Sequence, residues 1–87
     1  MTSPWFVYML YSVTTGRLYT GISTNPDRRL GEHNGKGRKG AKATRYGRPW
    51  RIVRTERYTT KSLALKREAE IKRLKRTEKL LLCGLSA

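Results

Sequence analysis

The chain has 87 residues, with 20 Lys and Arg against 6 Asp and Glu, a formal net charge of +14. That length suits one small domain with a limited core and excludes a second. The charge attracts polyanions, nucleic acid first among them, but identifies a class of partner and no chemistry.

Cys83 is the single cysteine, so an internal disulfide is excluded, and no Cys/His cluster surrounds it for zinc. No stretch approaches the ~20 apolar residues of a membrane span. Trp5 to Tyr11 is apolar but short and lacks a preceding basic region, so it reads as a strand and not as a leader. The expected compartment is the cytoplasm, with no membrane partner.

In chain order, the runs Val7 to Tyr11 and Tyr19 to Ile22 are rich in β-branched and aromatic residues, and Val13-Thr14-Thr15-Gly16 supplies turn chemistry between them. The pattern predicts a β-hairpin. If Val13 pairs with Gly16, Leu10 pairs with Tyr19, and Tyr8 lies diagonal to Tyr19 on the same face. Two tyrosines so placed serve packing equally well.

A short helix follows. Asn25 is its N-cap, Pro26 occupies the first helical position, and Asp27 suits the positive helix end. Arg29 and His33, four residues apart, then share a face.

Residues 34–49 contain four glycines, six basic residues and no acid. The composition predicts a mobile loop with at most a helical turn around Ala41 to Arg45. Lys36, Arg38, Lys39, Lys42 and Arg45 are the candidate nucleic-acid contacts, because cations neutralise phosphates while glycines let the main chain approach. Tyr46 is a candidate for stacking on a base.

Trp50 to Glu56, preceded by Pro49, reads as a third strand whose Ile52 and Val53 should cover the core face of the hairpin. From Thr59 the pattern turns helical, with Thr59 or Thr60 as cap and Leu63, Ala64, Leu65, Ala69, Ile71 and Leu74 as apolar positions. Thr77 would cap a last short helix that ends near Gly84, with Leu80, Leu81 and Leu82 as its packing face. The acids on this side of the chain are Glu68, Glu70 and Glu78. Periodicity does not separate Glu68 from Glu70, and Glu68 has an alternative use as an i,i+4 partner of Lys72.

Phe6-Val7-Tyr8, Tyr19-Thr20-Gly21, Arg29, His33 and Glu68 form an ordered set that resembles the GIY-YIG nuclease domain, in its small stand-alone bacterial form, over nearly the whole chain. The resemblance implies an α/β (α+β) fold, a small three-stranded antiparallel sheet flanked by helices. It also implies a metal-dependent endonuclease acting on DNA in preference to RNA, in repair or recombination. Glu68 stands where similar sequences carry the glutamate that binds the metal. One carboxylate suits a single Mg²⁺ or Mn²⁺ that keeps most of its waters. Arg29 would hold the scissile phosphate. Tyr8 would be the base or position the water; with a phenol pKa near ~10 it needs positive charge nearby, from His33, Arg29 or the metal, unless His33 is itself the base. Tyr19 would join the network that aims the water.

The sequence departs from the family pattern at Phe6, in place of a glycine, and at Ile22, where excision-repair relatives carry a lysine. No asparagine follows Glu68. Two other classes therefore stand beside the nuclease, a nucleic-acid-binding module that keeps the fold and an RNA-associated structural protein. Oligomeric state is left open.

Overall fold

The computed structural model describes residues 3–37 and 42–85. Three strands, β1 (Trp5–Ser12), β2 (Leu18–Ser23) and β3 (Trp50–Tyr58), form one antiparallel sheet in the order β2-β1-β3. Helix α1 (Pro26–His33) follows the hairpin, and α2 (Lys61–Lys72) and α3 (Arg76–Leu82) follow β3.

The hairpin has the expected register: Leu10 opposes Tyr19 and Tyr8 opposes Gly21. Because β1 is central, alternate residues face two separate cores. Val7 and Met9 pack with Ala64 and Ile71 of α2, joined by Trp5, Ile22, Val53, Tyr58, Leu82 and Cys83. Tyr8 and Leu10 pack on the opposite face with Trp50, Tyr19, Leu30 and Ile52.

Ile52 and Val53 thus serve different faces, not the shared one the sequence suggested. Neighbours on a strand point oppositely, and a bulge adds an irregularity here, where Met9 opposes Arg54 but Leu10 opposes Ile52.

Local signals set most helix ends. The Asn25 side chain accepts a hydrogen bond from the Arg28 N–H at 3.1 Å and Pro26 opens α1; Thr60 accepts from the Leu63 N–H at 3.2 Å to cap α2. The α3 start differs from expectation. Lys75 is its N-cap, and Thr77 lies inside the first turn. The carboxylate of Glu78, at N3, accepts the Lys75 N–H at 3.1 Å and satisfies that end of the helix.

Nor do all the leucines pack. Leu80 is buried, but Leu81 is 76% exposed, and Leu63 and Leu65 also face solvent. Ala64 and Ile71, seven apart, decide which side of α2 meets the sheet. The Cys83 Sγ donates to the Met9 Sδ at 3.5 Å, a core contact of a small apolar side chain. Among the described residues no helix is long and apolar enough to cross a membrane.

Glu56 makes the main ionic junction between β3 and α2. Its carboxylate accepts hydrogen bonds from Arg67 at 2.9 and 3.3 Å, Arg54 at 2.8 Å and the Tyr58 hydroxyl at 2.8 Å. Burial pushes this carboxyl up, but those donors outweigh it and leave the pKa at about 2.

Candidate active site

Parity in the hairpin brings Tyr8 and Tyr19 to one face, and α1 lays His33 across them. The Tyr8 ring centroid is 6.3 Å from that of Tyr19 and 5.8 Å from that of His33, and the Tyr19 and His33 rings are 4.8 Å apart. Gly21 makes this possible. A Cβ there would stand 2.7 Å from the Tyr8 hydroxyl and 3.1 Å from Tyr19 Cε1, so only glycine lets the phenol lie across β2.

His33 is fully buried and bonded at both ring nitrogens, Nε2 to the Tyr8 hydroxyl at 2.8 Å and Nδ1 to the Thr44 hydroxyl at 2.7 Å. The proton positions follow from the donor inventory. The positive charge of Arg29 acts on the Tyr8 hydroxyl, and a guanidinium offers only donors. That charge favours the arrangement in which the buried phenol gives its own proton to Nε2. A neutral imidazole carries one N–H, so Nδ1 holds it and donates to Thr44.

The charges agree. Burial, with Arg29 and Arg48 nearby, pushes His33 down to about 4, so it is neutral at neutral pH. Burial also raises the Tyr8 phenol, with Tyr19 and Glu68 adding to the rise against the opposing pull of Arg29. One expectation is corrected here: His33 supplies no positive charge to ionise Tyr8, because desolvation keeps the imidazole uncharged.

Stability should follow pH accordingly. Unfolded His33 takes a proton near pH 6.5 and folded His33 near 4; for Glu56 the values are 4.5 and about 2. In each interval the unfolded chain binds more protons, so acidification favours unfolding. Melting temperature should fall from pH 6.5 towards 4 and again from 4.5 towards 2. Melting scans at fixed salt, beside an NMR titration of this one histidine, check both windows.

Arg29 is a quarter exposed and pairs with Glu32 at 2.9 Å. It sits at the mouth of the cluster, in a groove of about 300 Å³ shared with Trp5, Ile22, Ser23, Thr24, Arg28 and Glu32. On the other side, Tyr19 opens into a groove of about 420 Å³ lined by Arg17, Leu18, Lys42, Tyr46 and Trp50. Tyr46 is 85% exposed.

Glu68 lies on α2, which packs against the face opposite His33, yet its charge reaches Tyr8. The charge of Glu70 instead reaches Tyr58 and Arg67. That separates two acids which periodicity left equivalent. Glu68 is 18% exposed and 3.4 Å from the exposed Lys72 ammonium, so the i,i+4 pair is also present.

Among the described residues no three His, Cys, Asp or Glu side chains converge on one point. A hard, oxygen-seeking ion held by one carboxylate and otherwise by water and phosphate would need no such cluster, and Glu68 is a carboxylate of that kind near Tyr8.

A family model described as the GIY-YIG catalytic domain matches residues 4–80. The chain belongs to the GIY-YIG family. This GIY-YIG protein is 47% identical to a UPF0213 protein of Cupriavidus necator over 82 residues, covering 94% of this chain and 86% of that one. It is 46% identical to a UPF0213 protein of Natronomonas pharaonis over 79 residues, covering 91% and 89%. Among solved structures it is similar to the solution NMR structure of a UPF0213 protein from Bacillus halodurans, with TM-score 0.57, 31% identity and coverage of 93% and 83%. The solution NMR structure of a protein from E. faecalis gives TM-score 0.59, 35% identity and coverage of 93% and 84%.

In this GIY-YIG chain the structure brings Tyr8, Tyr19, Arg29 and His33 together and sets Glu68 within electrostatic reach. Lys42 lies in the Tyr19 groove, and Lys36 and Arg45 are exposed. Arg38 and Lys39 lie outside the described residues.

The sequence reading missed the framework beneath them. Asn34 accepts the Trp50 N–H at 2.6 Å and donates to the Trp50 carbonyl at 2.8 Å, while Arg48 Nε donates to the His33 carbonyl at 2.8 Å. Trp50 Nε1 donates to the Thr44 carbonyl at 2.7 Å, and Ser12 Oγ donates to the Gly47 carbonyl at 2.6 Å. The described part of the basic segment is therefore tethered, not the mobile loop expected. Its single 3₁₀ turn, Lys42–Thr44, falls within the span where a helical turn was expected. The Asn directly after His33 was the available signal, since an amide there can pair with backbone across the loop.

Proposed function

We propose that this protein is a divalent-metal-dependent endonuclease that hydrolyses phosphodiester bonds in DNA, with repair or recombination as its setting. The observation that carries the reading is the pair of short hydrogen bonds that joins the Tyr8 hydroxyl to His33 Nε2 and His33 Nδ1 to Thr44, with the Arg29 charge acting on the phenol.

Arg29 stands at the mouth of the cluster, where a guanidinium fork can hold the scissile phosphate and stabilise the charge that builds on it. The Tyr8 oxygen takes a proton from the attacking water as its own proton passes to His33 Nε2. Tyr8 thus relays the proton without ionising, which its raised pKa would oppose, and His33 is the acceptor. The bond from water oxygen to phosphorus forms as the bond to the leaving oxygen breaks. Tyr19 packs against the His33 ring at a tilt of 58° and limits its movement.

Glu68 would hold Mg²⁺ or Mn²⁺, which when bound supplies charge neutralisation at the phosphate and the leaving oxygen. Lys36, Arg38, Lys39, Lys42 and Arg45 would grip flanking phosphates.

Supercoiled plasmid and a panel of flap, junction and single-stranded oligonucleotides should be cut with Mg²⁺ or Mn²⁺ and left intact when EDTA removes the metal. Cleavage of RNA alone would replace DNA as the substrate. Binding to every nucleic acid without cleavage of any would return the reading to a binding module.

A further inference from the structure

The hydroxyl of Thr44 meets His33 Nδ1 at 2.7 Å in a fully buried site, and Thr44 is itself fixed by a second contact, the Trp50 indole N–H on its carbonyl at 2.7 Å. We propose that Thr44 is a positioning residue that locks His33 in the Nδ1–H form and so turns Nε2 into the acceptor of the Tyr8 proton. This rests on the nuclease reading for its consequence in turnover, but the hydrogen-bonding claim stands apart from it.

The argument is one of proton count. Tyr8, His33 and Thr44 form a hydrogen-bonded row, and the positive charge of Arg29 acts on its Tyr8 end. Running the row the other way would turn the Tyr8 proton away from the imidazole in a buried site, against that charge. A hydroxyl at position 44 receives the N–H of the required tautomer. A methyl in its place would leave that N–H buried and unbonded, and the proton would then favour Nε2, where it blocks the relay.

The same turn carries Lys42 and Arg45, one residue or two from Thr44, and both are exposed. The segment proposed to grip the substrate backbone is therefore the segment that sets the proton position on the base. Ser12, Arg48 and Asn34 hold the ends of the segment to β1, α1 and β3.

This chain contains a single histidine, so the imidazole nitrogens can be read without assignment ambiguity. Long-range ¹H–¹⁵N spectra of ¹⁵N-histidine-labelled protein at pH 7, without metal or DNA, should show Nδ1 protonated and Nε2 bare. Thr44→Ser, which keeps the hydroxyl, should preserve that pattern and most of the turnover. Thr44→Val, which keeps the shape, should move the proton to Nε2 or mix the two forms. Its kcat should fall by about 10²-fold, with KM for DNA little changed.

An Nε2–H imidazole in the wild type would overturn the proposal. So would a folded Thr44→Val protein with the wild-type spectrum. If Thr44→Val does not fold, the wild-type and Thr44→Ser spectra decide alone. A correct tautomer pattern in a protein that cuts nothing would sustain the Thr44 assignment and remove the nuclease reading instead.

Discussion

Glu68→Ala should abolish metal-dependent cleavage while leaving the fold and nucleic-acid affinity intact. Structurally the change is mild. The carboxylate loses an i,i+4 pair with a Lys72 that is 57% exposed, an interaction worth about 0.3–0.5 kcal/mol, and alanine is the best helix former for the middle of α2. The melting temperature should therefore move by only a few degrees. Binding should hold or tighten, because a negative charge leaves a strongly basic surface.

Turnover is a different matter, since Glu68 is the carboxylate whose charge reaches the Tyr8 hydroxyl. Glu70→Ala is the matched control: same helix, same residue type, but a charge directed towards Tyr58 and Arg67. Both variants and the wild type should be purified identically and assayed for nicking of supercoiled plasmid. Loss in Glu68→Ala alone supports the assignment and rules out a contaminating nuclease. Equal activity in all three would remove Glu68 from the site.

The second large effect is on stability. Gly47→Ala should destabilise the domain by about 1–3 kcal/mol, lowering the melting temperature by on the order of 10 °C. Gly47 is buried, and a Cβ there would run into the Trp50 ring, approaching Cε2 to 2.7 Å and Cη2 to 3.0 Å. Neither partner can retreat easily. The Gly47 carbonyl accepts from Ser12 Oγ, and the Trp50 indole is pinned to the Thr44 carbonyl. Trp50→Phe removes the colliding atoms at the cost of that indole bond. In a double-mutant cycle the two changes should therefore be less than additive. Additivity within ~0.5 kcal/mol would show that the collision is relieved elsewhere.

How much the sequence revealed depended on how local the cause was. The register of the hairpin follows from the Val13 to Gly16 turn, and the start of α1 from Asn25 and Pro26, so both were legible. The meeting of Tyr8, Tyr19, Arg29 and His33 followed from strand parity, helical spacing and the family pattern together. The facing of α2 was not legible, because Leu63, Leu65 and Ala64 compete and only contact with the sheet chooses Ala64 and Ile71. The role of Thr44 was hidden for a stronger reason. His33 and Trp50, which bond to it, are eleven residues back and six residues on, and nothing in a threonine between Ala43 and Arg45 announces a buried hydrogen bond. The bulge opposite Met9 and Leu10 likewise belongs to strand pairing, not to any local signal.

The two-sided use of β1 has a consequence for how such a domain can change over time. Val7 and Met9 answer only to the α2 side, and Tyr8 and Leu10 only to the α1 side. The sheet acts as a partition. Repacking on one side passes to the other only through a main chain held by two neighbouring strands, so the α2 face can drift among apolar side chains of similar volume without disturbing the geometry of the phenols and the imidazole. Glu68 is the exception, a group carried by the helix of one side whose charge reaches Tyr8 on the other. If Glu68 has the role proposed above, any lineage that repacks α2 must keep the rotation of that helix, even while its leucines vary freely.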